Sequence, residues 1–273
     1  MDQKEIASAI EKMYDGQRRM SAFNHAVGLI SYDGATSAPA ETANNRASAI
    51  TVLSGEMYKM ALDRENRTLL KALEKEQGKL SPKDRRVVLL QLKSIRETEK
   101  IPEKEYIEYS ELTVKADDVW HRAKATSDFE SFRSYLEKVF EYQKRFATYR
   151  APGMDPYEKC LDGYEEGLTT QILDGFFSDL RDKIVPLVKE ISGRPQIDDS
   201  IRFGDFPEDK QRDLAYFVMK TMGLDPGHVG LAETEHPFTT YFGSHFDTRI
   251  TTHYHRDDFV ASLYSVARQL PTT

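Results

Sequence analysis

Apolar residues recur along most of this chain at the three- and four-residue spacing of a helix face. Ile6, Ile10, Met13 and Tyr14 begin the pattern and predict an amphipathic N-terminal helix. Gly34, Ser37 and Pro39 predict a loop over 31–39. A second helix is predicted over about 42–77. Ser81-Pro82 opens a third, because Ser caps and Pro is tolerated in the first turn, and Val88, Leu89 and Leu92 supply its stripe. Ile101-Pro102-Glu103 starts the next, which runs to Ala125. Ser127 and Glu130 have the spacing of a capping box, heading a helix that ends near Tyr149. Residues 151–156 read as a linker, 168–191 as a long helix with Pro186 as a kink point, and 207–222 as a helix ended by Gly223. The pattern then changes. Residues 224–235 read as loop, 238–242 and 248–254 as strands rich in Thr, Tyr and Phe, and 257–269 as helix. The predicted fold class is mainly α: an array of long helices with a short β-segment near the C-terminal end.

Composition agrees with long helices that keep one face in water. Charged residues make up 30% and mean hydropathy is −0.60, polar for a compact globule. The 14 Phe and 14 Tyr supply large core anchors. A net charge of −7, with no basic stretch interleaved with aromatics, argues against nucleic acid as a partner. Cys160 is the single cysteine, so no internal disulfide forms, and the residue reads as a small buried hydrophobe. The charged N-terminus has no apolar signal core, and the longest aliphatic run, 87–90, is far below the roughly 18 residues of a membrane span. The expectation is therefore a cytoplasmic protein with no membrane contact.

Candidate chemistry concentrates late in the chain. Strand alternation puts Asp247, Arg249, Thr251, His253 and His255 on one face, and Thr248, Ile250, Thr252 and Tyr254 on the other. Such a polar face marks either a solvated edge or a cleft wall. In a cleft wall, Arg249 grips a carboxylate with its planar fork, Asp247 orients Arg249 or the backbone, and Thr251 donates a hydrogen bond. His236, His245, His253 and His255 also lie close together, which raises a metal-binding module as one reading. No Cys lies near and the spacing matches no standard zinc module, so surface or hydrogen-bonding histidines are the other reading. His25, His121 and His228 stand alone. The sequence contains no H-E-x-x-H, no G-x-S-x-G and no phosphate-binding loop.

Two motifs then carry a family resemblance. His236-Pro237-Phe238 matches H-P-F, and Asp247-Thr248-Arg249-Ile250-Thr251 matches D-x-R-x-T, in the order and separation seen in the carboxypeptidase Taq family of zinc metallocarboxypeptidases. Weaker echoes cover 20–266: Tyr32-Asp33 with Thr36 and Pro39, where Tyr replaces a usual Trp; Trp120 with Ala123; Phe129 with Phe132; and Tyr157, Leu161, Asp162, Tyr164, Glu165 and Gly167. The resemblance implies a zincin-like helical metallopeptidase that removes C-terminal residues from peptides and pairs as a homodimer. It implies His236, Pro237, Phe238, Asp247, Arg249 and Thr251 as substrate-binding residues facing a peptide with a free C-terminus. It also implies an H-E-x-x-H helix after D-x-R-x-T, supplying two zinc ligands and a general base. Here that helix reads 259–266, followed by Ala267-Arg268-Gln269-Leu270-Pro271-Thr272-Thr273.

The expectation is thus the N-terminal part of a single metallocarboxypeptidase domain. It has a helical cover over about 1–222 and a substrate-cleft β-segment over about 236–255, and the chain stops before the zinc motif. No catalytic residue and no bound zinc are expected in this chain alone, and it is expected to be inactive by itself. A stand-alone helical interaction protein is the alternative from a different class.

Overall fold

The computed structural model describes residues 1–39, 41–202, 204–244 and 246–268. The chain forms two compact units, Met1–Tyr164 and the residues from Glu165 onward.

The first unit is helical: α1 (Gln3–Thr36), α2 (Ala43–Ala61), α3 (Arg64–Lys75), α4 (Pro82–Thr98), α5 (Glu103–Thr126), α6 (Phe129–Arg150) and α7 (Pro156–Tyr164). Ile6, Ala9 and Met13 of α1 pack with Leu70 and Leu73 of α3 and with Val88, Leu92 and Ile95 of α4. On α2 and α5, Ala47, Ala116 and Ala123 are buried, small side chains that let helix backbones approach closely. Tyr58 donates from its hydroxyl to the Ile101 carbonyl at 2.6 Å. Tyr109, Tyr142 and Phe146 stack between α5 and α6, with ring centroids 5.3–5.7 Å apart. Lys159 ties α7 to α4 through Glu97 at 3.1 Å and also holds Asp162 at 2.6 Å.

Several local expectations need correction. The predicted loop over 31–39 is helix as far as Thr36. Thr36 returns its hydroxyl to the Tyr32 carbonyl at 2.7 Å, and Gly34 faces Arg46 so closely that a Cβ there would lie 2.8 Å from Arg46 Nε. Glycine is used at this point for close approach rather than to stop the helix. The predicted 42–77 helix is two, divided where Asp63 caps α3 by accepting from the Asn66 amide at 2.8 Å. Ser127 does not cap α6. It takes the left-handed conformation (φ 55°) that ends α5, and Asp128 accepts from the Ser131 amide instead. Helix α7 lies where no helix was predicted, and Cys160 on it is half-buried rather than buried.

Ser81 caps α4 as its sequence suggests, and one carboxylate extends that cap to α1. Asp84 accepts from the Ser81 hydroxyl and from the Tyr14 hydroxyl, each at 2.6 Å. These two hydrogen bonds, Ser81 first, hold the Asp84 carboxyl below its ordinary 3.8. A carboxylate with a depressed pKa stabilises the fold above its unfolded value, and that stability is lost as pH falls through the lower folded value. The resistance of the first unit to urea should therefore fall below about pH 4. Asp84→Asn should flatten that acid dependence, and an unchanged acid limb in the variant would remove Asp84 as its cause.

The second unit contains α8 (Thr170–Ser192), α9 (Glu208–Thr221), β1 (Val229–Glu233), β2 (Thr239–Tyr241), β3 (Thr248–Thr252) and α10 (Phe259–Arg268). Gly223 takes φ +77° just past α9, the left-handed turn its position predicts. Helix α8 runs through Pro186. The expected loop over 224–235 contains β1, which pairs parallel with β3 and sets Gly230 opposite Arg249. Strand β2 pairs antiparallel on the other side, giving the order β1-β3-β2. Ala215, Met219, Val229, Ile250 and Val266 form the core between sheet and helices. Gln211, buried on α9, donates to the carbonyls of Phe206 and His255 at 2.8 Å each and accepts from the Ser262 hydroxyl at 2.8 Å. One amide thereby fixes α10 and the turn after β3 to α9.

Candidate functional site

The strand Thr248–Thr252 is central, not a solvated edge. Thr248, Ile250, Thr251 and Thr252 have no measurable exposure, while Arg249 keeps about 30% of its side chain accessible. Of the polar face predicted for this strand, Thr251 is therefore interior, while Asp247 and Arg249 both reach water. His253 and His255 lie beyond the end of β3.

Arg249 is held from several directions. Its Nη1 lies 2.5 Å from Asp247 Oδ1 and donates to its neighbour's carbonyl, Thr248 O, at 3.2 Å. The guanidinium lies over the Phe242 ring at 5.6 Å from its centroid, a cation–π contact. Gly230 lies alongside on β1, and a Cβ there would come within 3.0 Å of Arg249 Cδ. Among the described residues, both of these polar contacts use Nη1. The Nε–Nη2 edge has the spacing of a planar carboxylate.

Thr251 connects the two motifs. Its hydroxyl accepts from the Phe238 amide at 2.6 Å and donates to the Phe238 carbonyl at 2.9 Å. The Thr251 amide reaches the same carbonyl at 2.9 Å. The threonine of D-x-R-x-T thus fixes the backbone of H-P-F. His236 is exposed in the turn before β2, and Pro237 and Phe238 are half-buried. The sequence reading missed Gly230 and Phe242, whose roles come from cross-strand register and ring position. It also missed Thr234, two residues before His236. Thr234 Oγ1 and His253 Nδ1 are buried with no partner among the described residues. Such atoms cost about 1–3 kcal/mol each and concentrate where a structure expects further contacts.

The histidine cluster is only partly assembled. His253 and His255 meet edge-on with centroids 4.5 Å apart. His245 lies outside the described residues. Among the described residues no three His, Cys, Asp or Glu side chains converge as metal ligands. This donor set does not fit a zinc shell, which takes three or four protein ligands. Among the described helices none is long and apolar enough to cross a membrane.

The family model of Carboxypeptidase Taq (M32) metallopeptidase matches residues 12–268. Carboxypeptidase 1 of Bacillus subtilis (strain 168) is 34% identical over 266 residues, covering 97% of this chain and 53% of that protein. Thermostable carboxypeptidase 1 of Pyrococcus furiosus is 30% identical over 265 residues, covering 95% of this chain and 52% of that protein. The solved structure of BsuCP superimposes with a TM-score of 0.91 at 34% identity, over 96% of this chain and 53% of that one. The chain spans about half the length of the curated relatives it matches.

Proposed function

Since the chain belongs to the carboxypeptidase Taq (M32) metallopeptidase family, we propose that it forms the substrate side of a zinc metallocarboxypeptidase that removes C-terminal residues from peptides in the cytoplasm. In this reading the active unit is a homodimer, with no nucleic-acid or membrane partner. The observation that carries it is Arg249: a guanidinium on a central strand, oriented by Asp247 and backed by Phe242, with a carboxylate-matching edge left over. Arg249 receives the peptide's terminal carboxylate. Asp247 positions Arg249, Thr251 positions Phe238, and His236, Pro237 and Phe238 form the adjoining wall. A metal in the intact enzyme would supply Lewis-acid activation of water. Among the described residues no three His, Cys, Asp or Glu side chains converge as ligands, and in this reading the metal ligands and the general base lie outside them. The chain alone is therefore inactive in this reading.

The test compares a peptide acid with its C-terminal amide, using NMR titration of the chain. The acid should bind more tightly, and Arg249→Lys should remove most of that preference, because an ammonium cannot supply the bidentate fork. A charge-assisted hydrogen bond is worth about 1.5–3 kcal/mol, so the expected loss is roughly 10- to 150-fold. Equal binding of acid and amide by the unaltered chain would defeat the assignment.

A further inference from the structure

Gly230 stands inside β1, where that strand pairs with β3. Glycine in a strand interior forgoes the packing and the backbone entropy that alanine would keep, so it marks a place where something passes close to the backbone. The conformation at Gly230 does not itself require glycine. Unlike Gly223 and Gly243 of the same unit, Gly230 has no left-handed φ. The three atoms nearest to where its Cβ would stand belong to one side chain: Arg249 Cδ at 3.0 Å, Nε at 3.5 Å and Cζ at 3.9 Å. The stem of Arg249 therefore lies flat over bare backbone. On the other side of β3 the register partner of Arg249 is Thr240, which carries a branched side chain. Residues directly opposite in register share a face of the sheet. Arg249 thus has a branched neighbour on one side and an open one on the other, and it leans to the open side.

The guanidinium beyond Cδ has little freedom to move away. Its Nη1 lies 2.5 Å from Asp247 Oδ1 and 3.2 Å from Thr248 O, and its Cζ lies over the Phe242 ring. These contacts fix the far end of the side chain, while Gly230 admits its middle. A methyl at 230 would press on Cδ more tightly than van der Waals contact and would touch Nε. The arginine would then leave its staggered rotamer or give up its Nη1 contacts. We propose that Gly230 is a positioning residue for the carboxylate fork. Its missing side chain lets Arg249 lie across β1 and keeps the Nε side of the guanidinium open for a carboxylate oxygen. The inference rests on the reading that Arg249 receives the terminal carboxylate of a peptide, and Gly230 acts through Arg249.

The test is Gly230→Ala in the full chain, read in two ways by NMR. The first is the Arg249 Nε–Hε resonance, identified by its loss in Arg249→Ala. The second is the ratio of affinities for a peptide acid and for its C-terminal amide. The expected result is a shifted resonance and an acid preference reduced roughly 2- to 12-fold, the weight of an off-rotamer arginine, with the circular dichroism unchanged. In an Arg249→Ala background the same substitution should lower the preference no further, because the fork it acts through is gone. An unmoved resonance, an undiminished preference or a further fall in that background overturns the proposal. If Gly230→Ala does not fold, the double variant with Arg249→Ala decides. Recovery of the fold identifies the arginine stem as the clash; no recovery shows that the strand itself needs glycine and overturns the proposal. The two readings fail separately. Equal binding of acid and amide by the unaltered chain, with a resonance that still shifts in Gly230→Ala, defeats the proposed function and leaves Gly230 setting the side chain. A strong acid preference with an unmoved resonance does the reverse.

Discussion

Replacing Ile250 with alanine is expected to destabilise the second unit by about 2–5 kcal/mol. Ile250 has no exposure and stands on the central strand, where it meets Ala215, Met219, Val229 and Val266. Its strand is bonded on both sides, parallel to β1 and antiparallel to β2, so the backbone cannot shift to fill the space left behind. Collapse is what reduces the cost of such changes, and here it is restricted. Amide exchange in β1 and β3 reads the effect: a loss of 2 kcal/mol accelerates exchange roughly 30-fold, and more at the upper limit. Ile250→Val removes one methylene and should cost only about 0.5–1.5 kcal/mol. The ordering matters for function, because Arg249 and Thr251 are the flanking residues of the same strand and inherit its rigidity. Alanine and valine variants exchanging alike would show that the core around Ile250 does not anchor the sheet.

The helices were legible because their signals are local. Ser81-Pro82, Pro102-Glu103 and Gly223 each act within a turn of the boundary they set. The failures are local too, where one residue had two uses. Gly34 reads as a breaker, but the backbone needs it for contact with Arg46, twelve residues further along the chain. Ser127 and Asp128 are both competent caps. The left-handed turn ending α5 takes Ser127 and leaves the role to Asp128. Asp63 carried a usable signal, with its partner Asn66 three residues on, but the apolar periodicity runs across it and masks the break.

The site was legible in its residues and not in its geometry. Alternation alone sets Arg249 beside Asp247 and Thr251. Whether that face meets water depends on β1, whose Val-Gly-Leu-Ala-Glu stretch has weak strand propensity and pairs with β3 only through a parallel, non-local register. Without β1 the strand reads as an edge. With it, Thr251 becomes interior and Gly230 comes to lie against Arg249.

Thr251→Val is expected to detach Phe238 while leaving the core filled. Valine nearly matches threonine in volume but has no hydroxyl, so the 2.6 Å acceptor used by the Phe238 amide disappears, along with the 2.9 Å donor to its carbonyl. The backbone bond from the Thr251 amide to that carbonyl remains. Removing one partner in an enclosed site costs about 1–3 kcal/mol. Thr251→Ser makes the opposite change, keeping the hydroxyl and losing a methyl, for about 0.8 kcal/mol. The two variants separate the hydrogen bond from the packing. If the hydroxyl fixes H-P-F to D-x-R-x-T, valine is the worse substitution, and the Phe238 amide exchanges faster in valine than in serine. If Thr251 is only a filler of space, serine is worse and Phe238 exchange is unchanged in valine. The first outcome also carries a functional consequence: with Phe238 loosened, the wall beside Arg249 loses its fixed position, and the preference for a peptide acid over its amide should fall although Arg249 itself is intact.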